Sequence, residues 1–524
     1  MPTRRTLLGS ALAAPLIWKT ALAQGARDVA VMAMQIDGMT SLDPAESDDP
    51  VGIEIGANCY QCLTDTDLTD PTKLIGVLAS HWEVAGDGLT YTLYLQRDRK
   101  FASGNLVTAD DVAWSLQRVA ILGKAPSFIL TQFGFDKDNV AARIKATDDH
   151  TVIMQIAEAN APNFVLSCLA ANVCSIIDKK VALSHAQAND LGNDWLRTAS
   201  AGSNTWVVRS SKPDSVALDA AAAAAGPKRM VIRHVAGPAE QWLLLQKGEA
   251  DIARNLTAKQ LAAVAGKPDF KIASKAQGTL HYIALNQAVA ELSHPDIAQA
   301  VKWAIDYDAI EKRLTPDLFK RHQAFLPEGI PGALTDNPFH KDLDQAKSLM
   351  KQGGMEKGFA VSLDHPASPP FTEVAQAIQA DLAEIGIQVQ LLPGDLRQVI
   401  AKTHARQHQM AMLQWSSDTM DPHSNAQAFC INTDNSVKAV MRTIAWQSGW
   451  QDMDLTGRAM DGVREVDTAK RAAQYEQLQK DFMQRAPFVI FQQQVGVAVM
   501  RKTVGGFDLG VLPGGTRFVN LAKA

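Results

Sequence analysis

Apolar and polar positions along this 524-residue chain follow two rhythms in turn. Residues 28–34 alternate weakly and read as a first strand, and 53–63 read as helix. Behind the turn at Asp87-Gly88, residues 89–95 alternate in the manner of a half-buried strand rich in aromatic and β-branched side chains. Thr108 stands as an N-cap, with Asp111 three residues on, and predicts a helix start. A strand over 147–158, with 151–156 at its heart, and an apolar helix-then-strand over 163–178 follow. Next come a strand at 230–234, a helix at 239–247 closed by Gly248, and a strand opening at Glu249-Ala250-Asp251-Ile252. Residues 280–286 are strand-like, with Tyr282, Ala284 and Asn286 on one face. Helices are predicted over 301–310 and 345–351. Strand 361–364, helix 372–385 and strand 386–391 form a βαβ unit, whose right-handed crossover lays helices on a parallel sheet. An amphipathic helix over 468–485 and a return strand over 487–491 come last. This alternation predicts an α/β protein.

One stretch concentrates binding chemistry. Met410-Ala411-Met412-Leu413 suits a short buried strand, which ends in Trp415, then Ser416-Ser417-Asp418, then a turn marked by Asp421-Pro422. A large aromatic and a carboxylate thus leave one strand end together. Indole offers flat apolar area with a single donor, and a carboxylate binds a cation or donor once water is excluded. The plainer reading keeps Trp415 in the core and Asp418 as a turn cap. On this segment alone both stay open.

Length calls for two or three lobes. At 46% apolar and 20% charged residues, the composition is that of an ordinary soluble protein. Arg4-Arg5 precedes an apolar stretch over 6–18 and a small-x-small site at Ala21-Leu22-Ala23. Thr3-Arg4-Arg5-Thr6-Leu7-Leu8 resembles a twin-arginine (Tat) export signal, with a general secretory signal as the alternative. Residues 1–23 are expected to be removed, and their apolar part is too short for a permanent anchor. Removal of Arg4, Arg5 and Lys19 takes the net charge from −5 to −8, because 1–23 contain no Asp or Glu. A mildly acidic protein argues against nucleic acid or anionic lipid as the main partner. Five cysteines remain, and an oxidising compartment permits disulfides. Cys59/Cys62 or Cys168/Cys174 bridges and buried free thiols are both open, with Cys430 the simplest one to leave unpaired. Cys59-Tyr60-Gln61-Cys62 has redox-motif spacing without the strand–turn–helix entry of a thioredoxin site.

Trp415-x-x-Asp418-x-x-Asp421-Pro422 in the last third of a chain this long resembles the extracytoplasmic solute-binding proteins of ABC importers, in the peptide/nickel/opine branch called family 5. Leu78-Ala79-x-x-Trp82, Asp87-Gly88-x-Thr90-Tyr91-Thr92, Phe101-x-x-Gly104 and Thr108-Ala109-x-Asp111-Val112 are similar to that family's consensus block, whose role is structural. Gly248-Glu249-Ala250-Asp251-Ile252 is another recurrent family phrase. The family's Gly-Thr-Gly-Pro-Tyr near residue 200 is replaced by Ala201-Gly202-Ser203-Asn204-Thr205-Trp206.

The resemblance implies a periplasmic-binding-protein type II-like α/β fold, with two hinged lobes and an extra subdomain in the first. Lobe 1 would comprise 24–50, 191–283 and 490–524, the subdomain 51–190, and lobe 2 284–489. Asp418 would hold a ligand ammonium and Trp415 would form a stacking wall. Tyr282 and Asn286 at the crossover, with Ser41 and Ser416, would add polar contacts. Dipeptide-binding members clamp the ligand carboxylate with an Arg-Pro after the strand corresponding to 361–364; here His365-Pro366 stands instead. Histidine lacks the guanidinium fork. The anionic end is therefore held elsewhere, or the ligand is longer, uncharged there, or not a peptide; His365 is the candidate for its far end. Expected partners are a small-molecule or short-peptide ligand and an inner-membrane ABC permease. A monomeric periplasmic protein with no cofactor is expected.

An enzyme is the rival class. The chain has no Gly-x-Ser-x-Gly elbow, Walker loop, His-Glu-x-x-His or dinucleotide fingerprint. His404 and His408 could share a helical face as metal ligands, against a plain solvated surface. A nickel or metal-chelate carrier is the second binding hypothesis, with His365 and His423 as candidates.

Overall fold

The computed structural model describes residues 28–67, 70, 73–221 and 226–524. The export signal expected over 1–23 lies outside the described residues.

The first strand, β1 (Val29–Met34), is an apolar run with parallel neighbours along both edges; Ala30, Met32 and Met34 pack in one core and Val31 and Ala33 against another, so both faces are covered. The Leu42-Asp43-Pro44 turn then leads to α1 (Pro50–Cys59), which has Asp49 as N-cap and a proline in its first turn. A separate antiparallel sheet follows, built from β2 (Ala79–Val84), β3 (Thr90–Leu95), β4 (Ile144–Asp148) and β5 (Thr151–Gln155) in the order β2-β3-β5-β4. Between β3 and β4 lies α2 (Ala109–Leu122), opened by the capping box read from the sequence: Thr108 accepts from the Asp111 amide, and Asp111 accepts from the Thr108 amide. Tyr91, Leu93, Val112, Leu116 and Val152 share one core with Phe164 of α3 (Pro162–Leu169).

Among the described residues the main sheet has eleven strands. β6 (Trp206–Lys212), β7 (Ser215–Ala220), β8 (Arg229–His234), β9 (Ile252–Ala253) and β10 (Phe270–Leu285) come first in the chain. β11 (Phe319–Arg321), β12 (Phe359–Pro366), β13 (Ile387–Gly394), β14 (Met410–Ser416) and β15 (Phe488–Arg501) complete it with β1. Their order is β13-β12-β14-β10-β15-β9-β1-β8-β7-β6, with β11 beside β15. Parallel pairing occurs within β1, β8 and β9 at one end and within β12, β13 and β14 at the other. Met32, Ile232 and Trp206 belong to the core of the first half; Ile283, Leu363 and Met410 belong to that of the second.

Two long strands join the halves. β10 and β15 pair through 270–276 with 495–501, and again through 280–284 with 488–493. One register shift, between Ala276 and Leu280, separates the two stretches and leaves β10 bulged at 277–279; a second falls between His281 and Tyr282. The sequence pattern marked only 280–286 and 487–491, the buried second-half portions. The first-half portion of β10 is polar and exposed (Lys271, Ser274, Lys275) and carries little apolar signal.

Three expectations are corrected. The helix expected to 63 stops at Cys59, where Tyr60 turns extended. The helix expected over 301–310 is α4 (Pro295–Ala304); Ile305 is extended and Asp306 caps a new turn by accepting from the Ala309 amide. The strand expected before 178 is a single bridge between Gln61 and Ile176. All five cysteines are free thiols, and burial pushes Cys59 and Cys62 up to about 12, which leaves them unreactive at neutral pH.

The turn after β1 is pinned by a buried ion pair. Arg118 of α2 donates to both Asp43 oxygens, at 2.8 and 2.5 Å, and Asn193 Nδ2 adds a third bond at 2.7 Å. Neither charged side chain is exposed to solvent. Arg118→Met, which strands the Asp43 carboxylate, is expected to lower stability by about 3–5 kcal/mol. Adding Asp43→Asn should recover much of that loss; urea unfolding of both variants measures it.

Candidate ligand-binding site

β14 ends where the parallel strands of the second half present their carboxyl ends, the usual ligand edge of an open α/β sheet. Its register on β10 sets Trp415 opposite Leu280 and Ser416 opposite Thr279, beside the bulge. Trp415 Nε1 donates to Asn425 Oδ1 at 3.3 Å, and Asn425 Nδ2 donates to the Phe325 carbonyl at 2.6 Å, which fixes the indole in its plane. The ring stands edge-on to Phe429 at 6.4 Å and remains partly accessible. The Ser416 and Thr279 hydroxyls are 2.9 Å apart. Ser417 donates from both its amide and its hydroxyl to the Gly278 carbonyl in the bulge, at 2.9 and 3.2 Å.

Asp418 follows. Ser424 Oγ accepts from its amide at 3.1 Å and donates to Oδ2 at 3.3 Å. Among the described residues no cation lies within ion-pair distance of this carboxylate. Burial pushes Asp418 up to about 7, with the Ser424 hydrogen bond pulling the other way.

The turn carrying Asp418 is anchored from behind. Asp421 caps α5 (Pro422–Cys430), accepting from the His423 amide at 2.8 Å. Arg471 of α6 (Thr468–Arg485) grips both Asp421 oxygens at 2.7 Å. His423 hydrogen-bonds Tyr475 at 3.0 Å and meets Phe164 of the separate subdomain edge-on at 4.9 Å. The Ala161 amide of that subdomain also donates to the Val463 carbonyl at 2.7 Å. The Asp418 corner therefore lies beside a contact between the second half and the small subdomain.

The structure does not bring together all seven residues picked from the sequence. Trp415, Ser416 and Asp418 converge. Tyr282 is 2% exposed, with its ring edge-on to Phe429 and Phe488, and serves as core. Asn286 follows Leu285, which pairs with Met410, whereas Ser416 pairs with Thr279. Six strand residues separate those levels, roughly 20 Å. The Asn286 amide ties the Arg406 and His408 carbonyls instead, at 3.3 and 2.7 Å. Ser41 is buried and accepts from the Asp43 amide at 3.1 Å, so it shapes its own turn. His365 reaches the correct edge on β12, but its Nδ1 donates to the Pro366 carbonyl at 2.9 Å. With Nδ1 so engaged, Nε2 is the one ring nitrogen left for a ligand. As for metal, His423 is buried and its Nδ1 is engaged by the Tyr475 hydroxyl at 3.0 Å. His404 ends a helix while His408 lies beyond Arg406, whose φ is 57°, so the two do not share a helical face. Ser424 and Asn425 went unread in the sequence. The signal was there: Asp421-Pro422 announces a helix, and its first turn points back at the strand end.

A family model, "Bacterial extracellular solute-binding proteins, family 5 Middle", matches residues 73–437. This chain belongs to that family. Among family 5 relatives, the "Probable D,D-dipeptide-binding periplasmic protein DdpA" of Escherichia coli is 27% identical over 517 residues, covering 96% of this chain and 95% of the relative. The fold is also that of solved solute-binding proteins. The periplasmic binding protein DppA of Helicobacter pylori, in complex with the peptide STSA, superposes with a TM-score of 0.77 at 23% identity, over 96% of this chain and 99% of the other. The dipeptide-binding protein of a Pseudoalteromonas species, in complex with Met-Leu, gives 0.76 at 19% identity, over 95% and 100%. The type II-like, two-lobed architecture expected from the sequence is thereby established. No helix among the described residues is long and apolar enough to cross a membrane.

A carboxyl group that titrates near 7 makes binding of a cationic solute depend on pH. Below 7 the free protein carries a proton on Asp418 that the ligand must displace; above 7 it does not. The affinity for an amine-bearing ligand is expected to fall by up to about tenfold per pH unit below 7 and to level off above it. Calorimetry from pH 5 to 8 reads this directly, and Asp418→Asn should flatten the profile.

Proposed function

We propose that this family 5 protein is the periplasmic component of an ABC importer, and that it captures a short peptide or peptide-like amine between its lobes for delivery to an inner-membrane permease. One observation carries the reading: Asp418 is a shielded carboxylate at the ligand edge with no cation of its own. A buried charge needs a partner, and a ligand ammonium supplies it. Trp415, held by Asn425, forms the wall on which the ligand lies. The relatives' names point the same way, since D,D-dipeptides, the peptide STSA and Met-Leu are peptides, which carry an N-terminal amine.

The lobes in this proposal follow the sequence expectation, 24–50, 191–283 and 490–524 on one side, 284–489 on the other and 51–190 as the subdomain, except that Ile283 and Phe491 pack in the second-half core and Ile55 and Cys59 in the first. Hinge bending is placed in the bulge of β10 and the facing residues near Gln493, a few residues from those boundaries. The protein acts as a carrier without catalysis, works as a monomer, and leaves the cytoplasm by the twin-arginine route.

Asp418→Ala is expected to weaken an amine-bearing ligand by about 2–4 kcal/mol, as for loss of a buried charged partner. Native mass spectrometry of the purified protein should show an unaltered bound peptide or amine. A processed product, or unchanged affinity in Asp418→Ala, would overturn the proposal.

A further inference from the structure

The candidate site has a holder for an ammonium but, in His365, a poor one for a carboxylate. The first half supplies a better one. Arg254 leaves the carboxyl end of β9, beside the matching ends of β1 and β8. β9 runs antiparallel to β15, with Ala253 opposite Val499, so the chain beyond it heads towards lower β15 numbers and the bulged crossover. Across that crossover stand the carboxyl ends of β12, β13 and β14. The ligand edges of the two parallel groups therefore face each other, Arg254 on one and Asp418 just beyond the other.

The guanidinium is half used. Its Nη1 and Nη2 donate to the two Glu54 oxygens of α1 at 2.6 and 3.2 Å. Its plane lies over Phe507 at 5.3 Å. The Arg254 side chain is 9% exposed, yet its buried Nε meets no acceptor among the described residues. An orphaned buried donor calls for an explanation. A guanidinium has two forks, and Glu54 fills the end-on one. The side-on fork, Nε–H with the second N–H of Nη2, has no acceptor at its buried Nε and matches a carboxylate. Glu54 and Phe507 already hold the group in place, so little side-chain freedom is lost when an anion arrives.

We propose that the open side-on fork of Arg254 clamps the carboxylate of the ligand whose ammonium Asp418 holds. This rests on the peptide reading above. It also sets a length. From the level of Arg254 to the bulge is about five strand residues, roughly 17 Å. The two side chains span part of that gap, which leaves room for an extended peptide of about three or four residues at ~3.4 Å each.

The test uses trialanine and tetraalanine, each as free acid and as C-terminal amide, titrated calorimetrically into the full mature protein. The wild type should prefer the acids by at least tenfold. Arg254→Lys keeps a cation for Glu54 but loses the fork, and it should abolish that preference while leaving amide affinity unchanged. If Arg254→Lys does not fold, the double variant Arg254→Gln/Glu54→Gln, which leaves no buried charge unpaired, should give the same loss. Equal weakening of acid and amide would show a merely structural arginine and overturn the clamp, as would a wild type indifferent to the acid. Loss of the preference in His365→Ala but not in Arg254→Lys would assign the clamp to His365 and overturn it too. No binding of any of the four probes by the wild type would overturn the peptide reading and the clamp together.

Discussion

The two halves of this protein are joined through hydrogen-bonded β-structure. β10 and β15 run antiparallel from one half into the other, and the ladder between them is interrupted only where their register slips. Paired strands resist bending wherever the ladder is intact. The hinge proposed above, at the bulged residues around Gly278 and their partners near Gln493, falls where that ladder is broken. The same bulge touches the binding corner: the Gly278 carbonyl receives two bonds from Ser417, and its amide donates to the Val511 carbonyl at 2.7 Å. Hinge and ligand site are adjacent parts of one network. A change in the crossover is thus felt one residue away from Asp418.

The corner itself is a case of charge left deliberately unmatched. Two buried carboxylates of turns have cations, Asp43 with Arg118 and Asp421 with Arg471, and buried Asp178, which has none, instead accepts from Ser103, Asn105 and the Val181 amide. Those pairs hold turns in place, the first after β1 and the second directly behind the site. Asp418 has only the Ser424 hydroxyl, and its raised proton affinity is the electrostatic consequence. The contrast separates charges that maintain the fold from one that awaits a partner. Arg254 is intermediate, with one fork engaged by Glu54 and one open. A zwitterionic guest would satisfy both incomplete groups at once, and neither half alone could do so. Closure over the guest would then be favoured by the guest itself.

The small subdomain adds a third wall. Phe164 meets His423, and the Ala161 amide reaches the Val463 carbonyl, so its core is continuous with the second half just below the Asp418 turn. This contact buries His423 behind the Asp418 turn. It also bears on the burial of Asp418.

What the sequence determined unaided were the features whose causes are local. The Thr108 capping box, the β12–helix–β13 unit and the strand running into Trp415 and Asp418 depend on neighbours within a few residues, and all were legible there. The family, too, was carried by short motifs. Only the tertiary structure decided which residues share a site. Tyr282 and Asn286 lie on a strand next to β14, but antiparallel register carries Asn286 to the far end and core packing absorbs Tyr282. Ser41 serves its own turn, and a neighbouring carbonyl engages His365. Arg254 and Glu54 are 200 residues apart in the chain. The exposed half of β10 carried no apolar pattern because it owes its strand conformation to its partner β15. Pairing register and hydrogen-bond satisfaction are set by residues hundreds of positions apart, and no local pattern records them.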